Sequence, residues 1–169
     1  MRAPIAVAVF CLLVAACSAS SPDSAAISST TTSAASTVSP GIPELLRDSE
    51  IKDVAVGDRT LRLAIADSPS LRSTGLMGVT DLESLDGMLF YWRHEASEGF
   101  WMKDTLIPLD IVWFDADGSF VGRASMVPCV ADPCEVYSPA DGVDYRLAIE
   151  ANPGDLDWVT PDTVLIYSD

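Results

Sequence analysis

Residues 100–111 read FWMKDTLIPLDI, a stretch that places aromatic, sulfur-containing and charged side chains within what otherwise looks like buried β-structure. In a β-strand, successive side chains point to opposite faces. The two sets are Phe100, Met102, Asp104 and Leu106 on one face, and Trp101, Lys103 and Thr105 on the other. The stretch therefore predicts a strand over 100–105 whose two faces differ in character.

The next predicted strand, 109–114, is apolar on both faces except at Asp110. Such a strand must be covered on both faces, by protein or by a ligand, so we expect a cleft beside it. An unpaired buried carboxylate is very costly, so Asp110 needs a partner. Arg72 or Lys103 is the partner that the sequence predicts.

Outward from these strands, the chain consists of short apolar runs separated by Gly, Pro and Asp. The sequence DADG at 115–118 predicts a hairpin in which Gly118 adopts a positive φ. Residues 69–77 predict one short helix that begins at Pro69 and is limited by Gly75. The other predicted strands are 61–65, 88–92, 119–121, 145–149 and 164–167. This pattern predicts a mainly β fold, a compact antiparallel sandwich or barrel (jelly-roll-like) with one short helix.

Several short motifs resemble those of a family known as domain of unknown function 192. They are RSTGLM at 72–77, GMLF at 87–90, FWMKDT at 100–105, PLDI at 108–111, and the two cysteine positions 129 and 134 followed by Tyr137. The resemblance implies a compact, mainly β domain and no particular reaction. Asp104 is a departure, because the family usually has Asn there, and a carboxylate only accepts hydrogen bonds.

The N-terminus has the pattern of an export signal. Arg2 precedes an apolar stretch over 3–16, which is shorter than the roughly 20 residues that span a bilayer. The sequence VAAC at 14–17 resembles the lipobox of bacterial lipoproteins, which implies cleavage after residue 16 and lipidation of Cys17. Residues 18–40 are rich in Ser, Thr and Ala and predict a disordered tether.

These features together predict three segments. We expect a signal peptide over 1–16, a lipid-anchored tether over 17–47 and a single β-rich domain over 48–169. The expected location is the extracytoplasmic side of a membrane, with the lipid bilayer contacted through the Cys17 anchor.

The charge of the chain is strongly acidic, with 25 acidic and 10 basic residues. Removal of residues 1–16 takes away Arg2 and no acid, which leaves nine basic residues and a net charge of −16. A field of this sign argues against nucleic acid as a partner. It favours cations, although most of the excess simply keeps a surface soluble.

Two cysteines remain after Cys11 leaves with the signal and Cys17 is acylated, namely Cys129 and Cys134. In an oxidising compartment we expect them to form a disulfide. Their spacing is not the redox C-x-x-C pattern, and two thiolates alone make a poor zinc site.

The ligand-binding candidates are Arg72, Trp101, Lys103, Asp104 and Asp110. Two interpretations remain open. The charged residues form an ion pair that locks the helix against the sheet, or Arg72 and Lys103 hold an anionic or sugar-like ligand beside the Trp101 ring. The pattern predicts no catalytic residue, metal or cofactor.

The predicted function is a membrane-tethered, non-catalytic binding or accessory module for a small polar, anionic or sugar-like ligand or for an envelope component. One alternative is a hydrolase of envelope polymers that uses paired carboxylates. A second is a copper carrier that uses Met and Cys, since thioethers and thiolates select Cu(I). The methionines considered for it are Met77, Met88, Met102 and Met126.

Replacement of Cys17 by Ala should abolish acylation, because the sulfur that would carry the lipid is lost. In detergent partition, Cys17→Ala should leave the membrane phase as an uncleaved or released protein, whereas Cys11→Ala should behave like the wild type. Normal membrane recovery of Cys17→Ala would contradict lipidation at this residue.

Overall fold

The computed structural model describes residues 42–140 and 142–168. The predictions for the signal peptide, Cys17 and most of the tether therefore lie outside the described residues. The strands are β1 (Glu50–Val56), β2 (Arg59–Ala66), β3 (Gly87–Ala96), β4 (Phe100–Trp101), β5 (Leu109–Phe114), β6 (Phe120–Met126), β7 (Val136–Tyr137), β8 (Tyr145–Ala151) and β9 (Leu165–Ile166). The helices are a 3₁₀ turn, Glu44–Leu46, and α1, Pro69–Thr74. Neither of these two helices is long and apolar enough to cross a membrane.

Seven strands form one sheet in the order β6-β5-β8-β3-β2-β1-β9, and the sheet curls into a half-barrel. Strands β4 and β7 pair separately as a two-stranded ribbon. The mainly β class and the single short α-helix are confirmed. Neighbouring strands of the large sheet run antiparallel except β2 and β3, which are parallel. Parallel neighbours need a crossover connection, and the segment 67–86, which includes α1, supplies it.

The sheet is covered on both faces. One face, which we call the helix face, carries Phe90, Ile111 and Trp113 and packs against Leu76 beyond α1. The opposite face carries Leu89, Val112 and Phe114 and packs against residues 156–165. All six residues of β5 are buried, as the sequence predicted for a strand apolar on both faces. Protein covers both of its faces, and β5 lines neither of the two cavities described below; the larger cavity is lined by Glu150 of the neighbouring strand β8, which pairs with Ile111.

The packed chain begins before residue 48. Leu46 is only 2% exposed and belongs to the core of the helix face, and Ile42 packs against the same core. Residues that the sequence assigned to the end of the tether therefore contribute to the hydrophobic core.

The predicted hairpin is confirmed, and the predicted helix is confirmed at its start, although it ends three residues before Met77. The DADG hairpin joins β5 and β6, and the Asp115 carboxylate accepts hydrogen bonds from the backbone N–H groups of Asp117 and Ser119. Gly118 has φ 78° and lies so close to β9 that a Cβ would clash with the Leu165 carbonyl oxygen. Helix α1 begins after Ser68, whose hydroxyl accepts the Leu71 N–H at 3.2 Å, and it ends at Gly75.

The predicted strand over 100–105 is wrong beyond Trp101. The chain turns after Met102, where the Thr105 N–H donates to the Met102 carbonyl at 3.2 Å. Asp104 has φ 55°, a left-handed conformation that Asn and Asp tolerate better than most residues. Asp104 is thus compatible with the backbone conformation of this turn.

The predicted ion pair of Asp110 with Arg72 or Lys103 is also wrong. Its carboxylate instead accepts two hydrogen bonds, from the Ser125 hydroxyl and from the Gly154 N–H, each at 2.7 Å. The first joins β5 to β6 and the second holds the loop that follows β8. Two short neutral donors satisfy this carboxylate, which is only 7% exposed.

Replacement of Asp110 by Ala should lower the free energy of unfolding by about 3 kcal/mol, because two donors lose a charged acceptor. Asp110→Asn should cost less, since its amide oxygen can keep one of the two bonds. Chemical denaturation measures the free energy of unfolding of both variants and of Ser125→Ala, which removes only the hydrogen bond to β6, and so ranks the three losses. Equal stability of Asp110→Ala and the wild type would contradict this role.

Candidate functional site

A cavity of about 350 Å³ opens on the helix face of the sheet. Its walls come from α1 and the turn after it, from β3, from β4 with the two residues before it, and from β8. The lining residues are Pro69, Arg72, Ser73, Thr74, Gly75, Leu76, Met77, Phe90, Trp92, Glu98, Gly99, Phe100, Trp101, Thr105, Tyr145 and Glu150. A volume of this size is within the range of small-ligand sites.

Arg72 is held rigidly at this cavity. Its Nη1 donates to the carbonyl of Asp67 at 2.7 Å and to that of Tyr91 at 2.9 Å. The guanidinium carbon also lies 5.1 Å from the centre of the Trp92 ring. Within the part of the chain that the structure describes, no carboxylate pairs with Arg72 and no hydrogen bond uses its Nε or Nη2. The cation is therefore positioned in advance, with donors left over for an anionic group.

Aromatic rings make up much of the remaining wall. Trp92 packs edge-to-face on Tyr145, with ring centres 5.1 Å apart, and on Phe100 at 5.9 Å. Phe90 meets Phe100 edge-to-face at 5.1 Å. Trp101 differs from these rings because it is 50% exposed. It offers a half-exposed aromatic surface to the cavity, with the Lys103 ammonium 5.7 Å from the centre of its ring.

The wall also depends on Tyr145. Its buried hydroxyl donates to the carbonyl of Glu98 at 2.6 Å and so holds the segment that leads into β4. Burial raises the pKa of Tyr145, the charge of Glu98 raises it further, and the charge of Arg72 opposes both. The phenol therefore stays protonated and continues to donate this bond.

Glu150 is the least expected member of the lining. It lies on β8, between Met88 of β3 and Ile111 of β5, and only 5% of it is exposed. Among the described residues, no hydrogen-bond donor or cation contacts its carboxyl group. Burial alone raises its pKa from the ordinary 4.5 to about 8. A neutral carboxylic acid therefore faces the cavity at neutral pH.

A glycine makes this placement of β8 possible. A Cβ at Gly87 would clash with the backbone carbonyl oxygen of Glu150. The Gly of the GMLF motif thus permits β3 to approach β8 at the acid itself.

Of the five predicted ligand-binding residues, the structure brings Arg72 and Trp101 to the cavity. Lys103 lies outside the lining, 5.7 Å from the Trp101 ring, and its ammonium pairs with Asp132 at 3.4 Å. Asp104 is exposed in its turn, and Asp110 is committed to Ser125 and Gly154. Sequence reasoning missed Trp92, Glu98, Tyr145 and Glu150. Glu150 could have been found from the sequence, because it is an acidic residue within a mainly apolar predicted strand, as Asp110 is.

The disulfide is confirmed, with Cys129 and Cys134 bonded and their Cα atoms 5.5 Å apart. It borders a smaller cavity of about 140 Å³ that Met102 and Tyr137 also line. The Cys129 N–H donates to the Met102 carbonyl at 3.2 Å, which ties the bridged loop to the turn after β4. Met88, Met102 and Met126 are each 1% exposed and fill the core of the helix face.

Comparisons with known proteins agree with this fold. The model of the DUF192 family, described as "Uncharacterized ACR", matches residues 52–160. No curated protein matches the chain.

Two similar crystal structures are both 24% identical to this chain. One is a Sinorhizobium meliloti 1021 protein provisionally described as a transcription regulator; it has a TM-score of 0.60 and the match covers 70% of this chain and 94% of that one. The other is a protein of unknown function from Novosphingobium aromaticivorans DSM 12444. It has a TM-score of 0.61, and the match covers 81% of this chain and 99% of that one. These likenesses show the fold alone.

The raised pKa of Glu150 should be visible in stability. The folded protein holds a proton that the unfolded chain releases above about pH 4.5, so the wild type should lose stability between pH 4.5 and about 8. Glu150→Gln has no such titrating group. As the pH rises through that window, the free energy of unfolding of the variant should increase relative to that of the wild type by up to about 1.4 kcal/mol per pH unit. Denaturation of both proteins from pH 4 to 9 measures the difference, and a constant difference would contradict a protonated Glu150.

Proposed function

Because this chain belongs to the DUF192 family, which is uncharacterised, we propose a function from its own cavity: a binding module for a small polar, anionic or sugar-like ligand, tethered to a membrane outside the cytoplasm. The observation that carries the proposal is the pre-positioned Arg72 beside a mainly aromatic wall. A concave, partly apolar site with a few fixed polar groups is the usual form of a small-molecule site.

The chemistry of the lining favours this ligand class. Arg72 already has its Nη1 bonds and its stacking on Trp92, so a ligand that takes its remaining donors has little side-chain entropy to overcome. Trp101 presents a half-exposed ring on which the apolar face of a sugar or a short carbon chain can pack.

The location rests on the sequence of the N-terminus, with the apolar stretch over 3–16 and the lipobox-like VAAC. The bond between Cys129 and Cys134 fits the same location, since disulfides persist in oxidising compartments. Tethering would keep the cavity within reach of envelope components.

The hydrolase alternative has one observation in its favour. Glu98 and Glu150 line the same cavity, and glycoside hydrolysis uses a pair of carboxyl groups. Prolonged incubation with isolated envelope polysaccharide, followed by measurement of new reducing ends, separates the two functions. Release that Glu150→Gln abolishes would favour the enzyme, and the absence of release would favour binding.

Replacement of Trp101 by Ala should weaken ligand binding about fivefold, since loss of a stacking ring costs on the order of 1 kcal/mol. Intrinsic tryptophan fluorescence can report the titration, because Trp92 also lines the cavity. The probes are glucose, N-acetylglucosamine and hexanoate.

The matched control is Trp158→Phe. Trp158 packs on the opposite face of the sheet, where Arg59 lies 4.4 Å from its ring. This variant should bind with unchanged affinity. The proposal fails if no probe saturates the signal, or if Trp101→Ala and Trp158→Phe bind equally.

A further inference from the structure

Arg72 and Glu150 line one cavity without pairing with each other. Arg72 is partly exposed and bonds only to backbone carbonyls, whereas Glu150 is 95% buried, being 5% exposed, and has no donor among the described residues. Among the described residues, no ion pair or hydrogen bond joins the Arg72 guanidinium to the Glu150 carboxyl group. The cavity therefore carries a cation and an acid that are held apart.

Asp110 shows how this fold treats a carboxylate whose role is structural. That side chain is as deeply buried as Glu150, on the neighbouring strand, and it accepts two hydrogen bonds of 2.7 Å from protein donors. Glu150 receives none, and a buried polar group without a partner lowers stability. The chain thus leaves the partner of Glu150 to be supplied from outside, on the side that opens into the cavity.

An ammonium group fits that role best. It brings up to three donors and a charge that pairs with the ionised carboxylate. The aromatic rings of Trp92, Phe100 and Tyr145 line the same space, and ring faces attract cations. The strongly acidic surface also raises the local concentration of cationic groups.

Arg72 imposes the opposite requirement on the other part of the ligand. A simple amine would meet the repulsion of this guanidinium, whereas a ligand with a carboxylate could accept from its free Nε and Nη2. Both requirements are met by one molecule that has an anionic and a cationic end.

We propose that the cavity binds an amino-acid-like zwitterion, whose carboxylate pairs with Arg72 and whose ammonium pairs with Glu150. This inference rests on the binding function proposed above and specifies its ligand class. The separation of the two ends is set by the distance between the two side chains, so that ω-amino acids of different lengths are graded probes.

Binding of this kind has a proton balance. Below pH 8 the free protein holds a proton on Glu150, and the ammonium favours the ionised form, so that a proton passes from Glu150 to the solvent. The titratable groups that line the cavity are Arg72, Glu98, Tyr145 and Glu150. Burial raises the pKa of the Tyr145 phenol, which keeps its proton, and Glu98 is exposed to solvent.

The test is calorimetric titration of the full domain at pH 6.5 with glycine, 4-aminobutyrate and 6-aminohexanoate. Hexylamine and hexanoate serve as single-ended probes. At least one zwitterion should bind about tenfold more tightly than either single-ended probe. Titrations in buffers of different ionisation enthalpy should show release of about one proton.

Glu150→Gln should abolish both the proton release and the preference for a zwitterion over hexanoate. Arg72→Gln should abolish the preference over hexylamine. Asp110→Asn is the matched control, because it also neutralises a buried acid but lies outside the cavity, and it should change neither. Near-ultraviolet circular dichroism establishes that each variant is folded.

The other outcomes separate this inference from the binding function. If hexanoate or glucose binds and no zwitterion binds more tightly, the binding function stands and the inference fails. If Glu98→Gln, and not Glu150→Gln, removes the preference, the ammonium lies at the rim and the inference also fails. If no probe of either set binds, both are overturned, and the group that meets Glu150 is cavity water.

Discussion

Both faces of the curled sheet are covered by protein, and this double burial determines what any polar side chain on a central strand can do. On β5 and β8 every residue is buried except Arg146, which is half-buried. A carboxylate in such a place must obtain its partner from the fold or from a ligand. Asp110 takes the first course and Glu150 the second, although the two side chains lie on neighbouring strands.

The parallel pairing of β2 with β3 accounts for the position of the cavity. Because the two strands run in the same direction, the chain must cross the helix face between them, and α1 lies on that crossing. The crossing brings Arg72 over the edge of β3, where the carbonyl of Tyr91 and the ring of Trp92 hold it. Gly75 then ends the helix against the Phe90 ring, where an added Cβ would lie 3.3 Å from Cζ. The connection that the topology requires is therefore also a wall of the site.

Local sequence patterns predicted most of the elements and only part of the site. The hairpin at 115–118, the start of α1 and the strands β2, β3, β5 and β8 depend on side chains close in sequence, and these were predicted, whereas β1 was not. The strand over 100–105 failed because alternation alone does not reveal a left-handed residue such as Asp104. The predicted partner of Asp110 was wrong for another reason. One of its actual partners is the backbone N–H of Gly154, and a pattern of side chains does not predict a backbone donor. Tyr145 was missed for a similar reason. Pairing between strands distant in sequence brings it to the cavity, where its hydroxyl donates to the carbonyl of Glu98.

The rim and the floor of the cavity belong to different sheets. Phe90, Tyr145 and Glu150 sit on the seven-stranded sheet, whereas Trp101 sits on the ribbon of β4 and β7, opposite Val136. Gly99 fits the two strands together so closely that a Cβ there would clash with the Val136 side chain. Exchange of the residues at 101 and 136 would thus alter the entrance while leaving the large sheet intact. For protein engineering, the exposed side chains of the ribbon are therefore positions at which ligand preference can be diversified, while the buried Phe100 of the same ribbon is kept as part of the core.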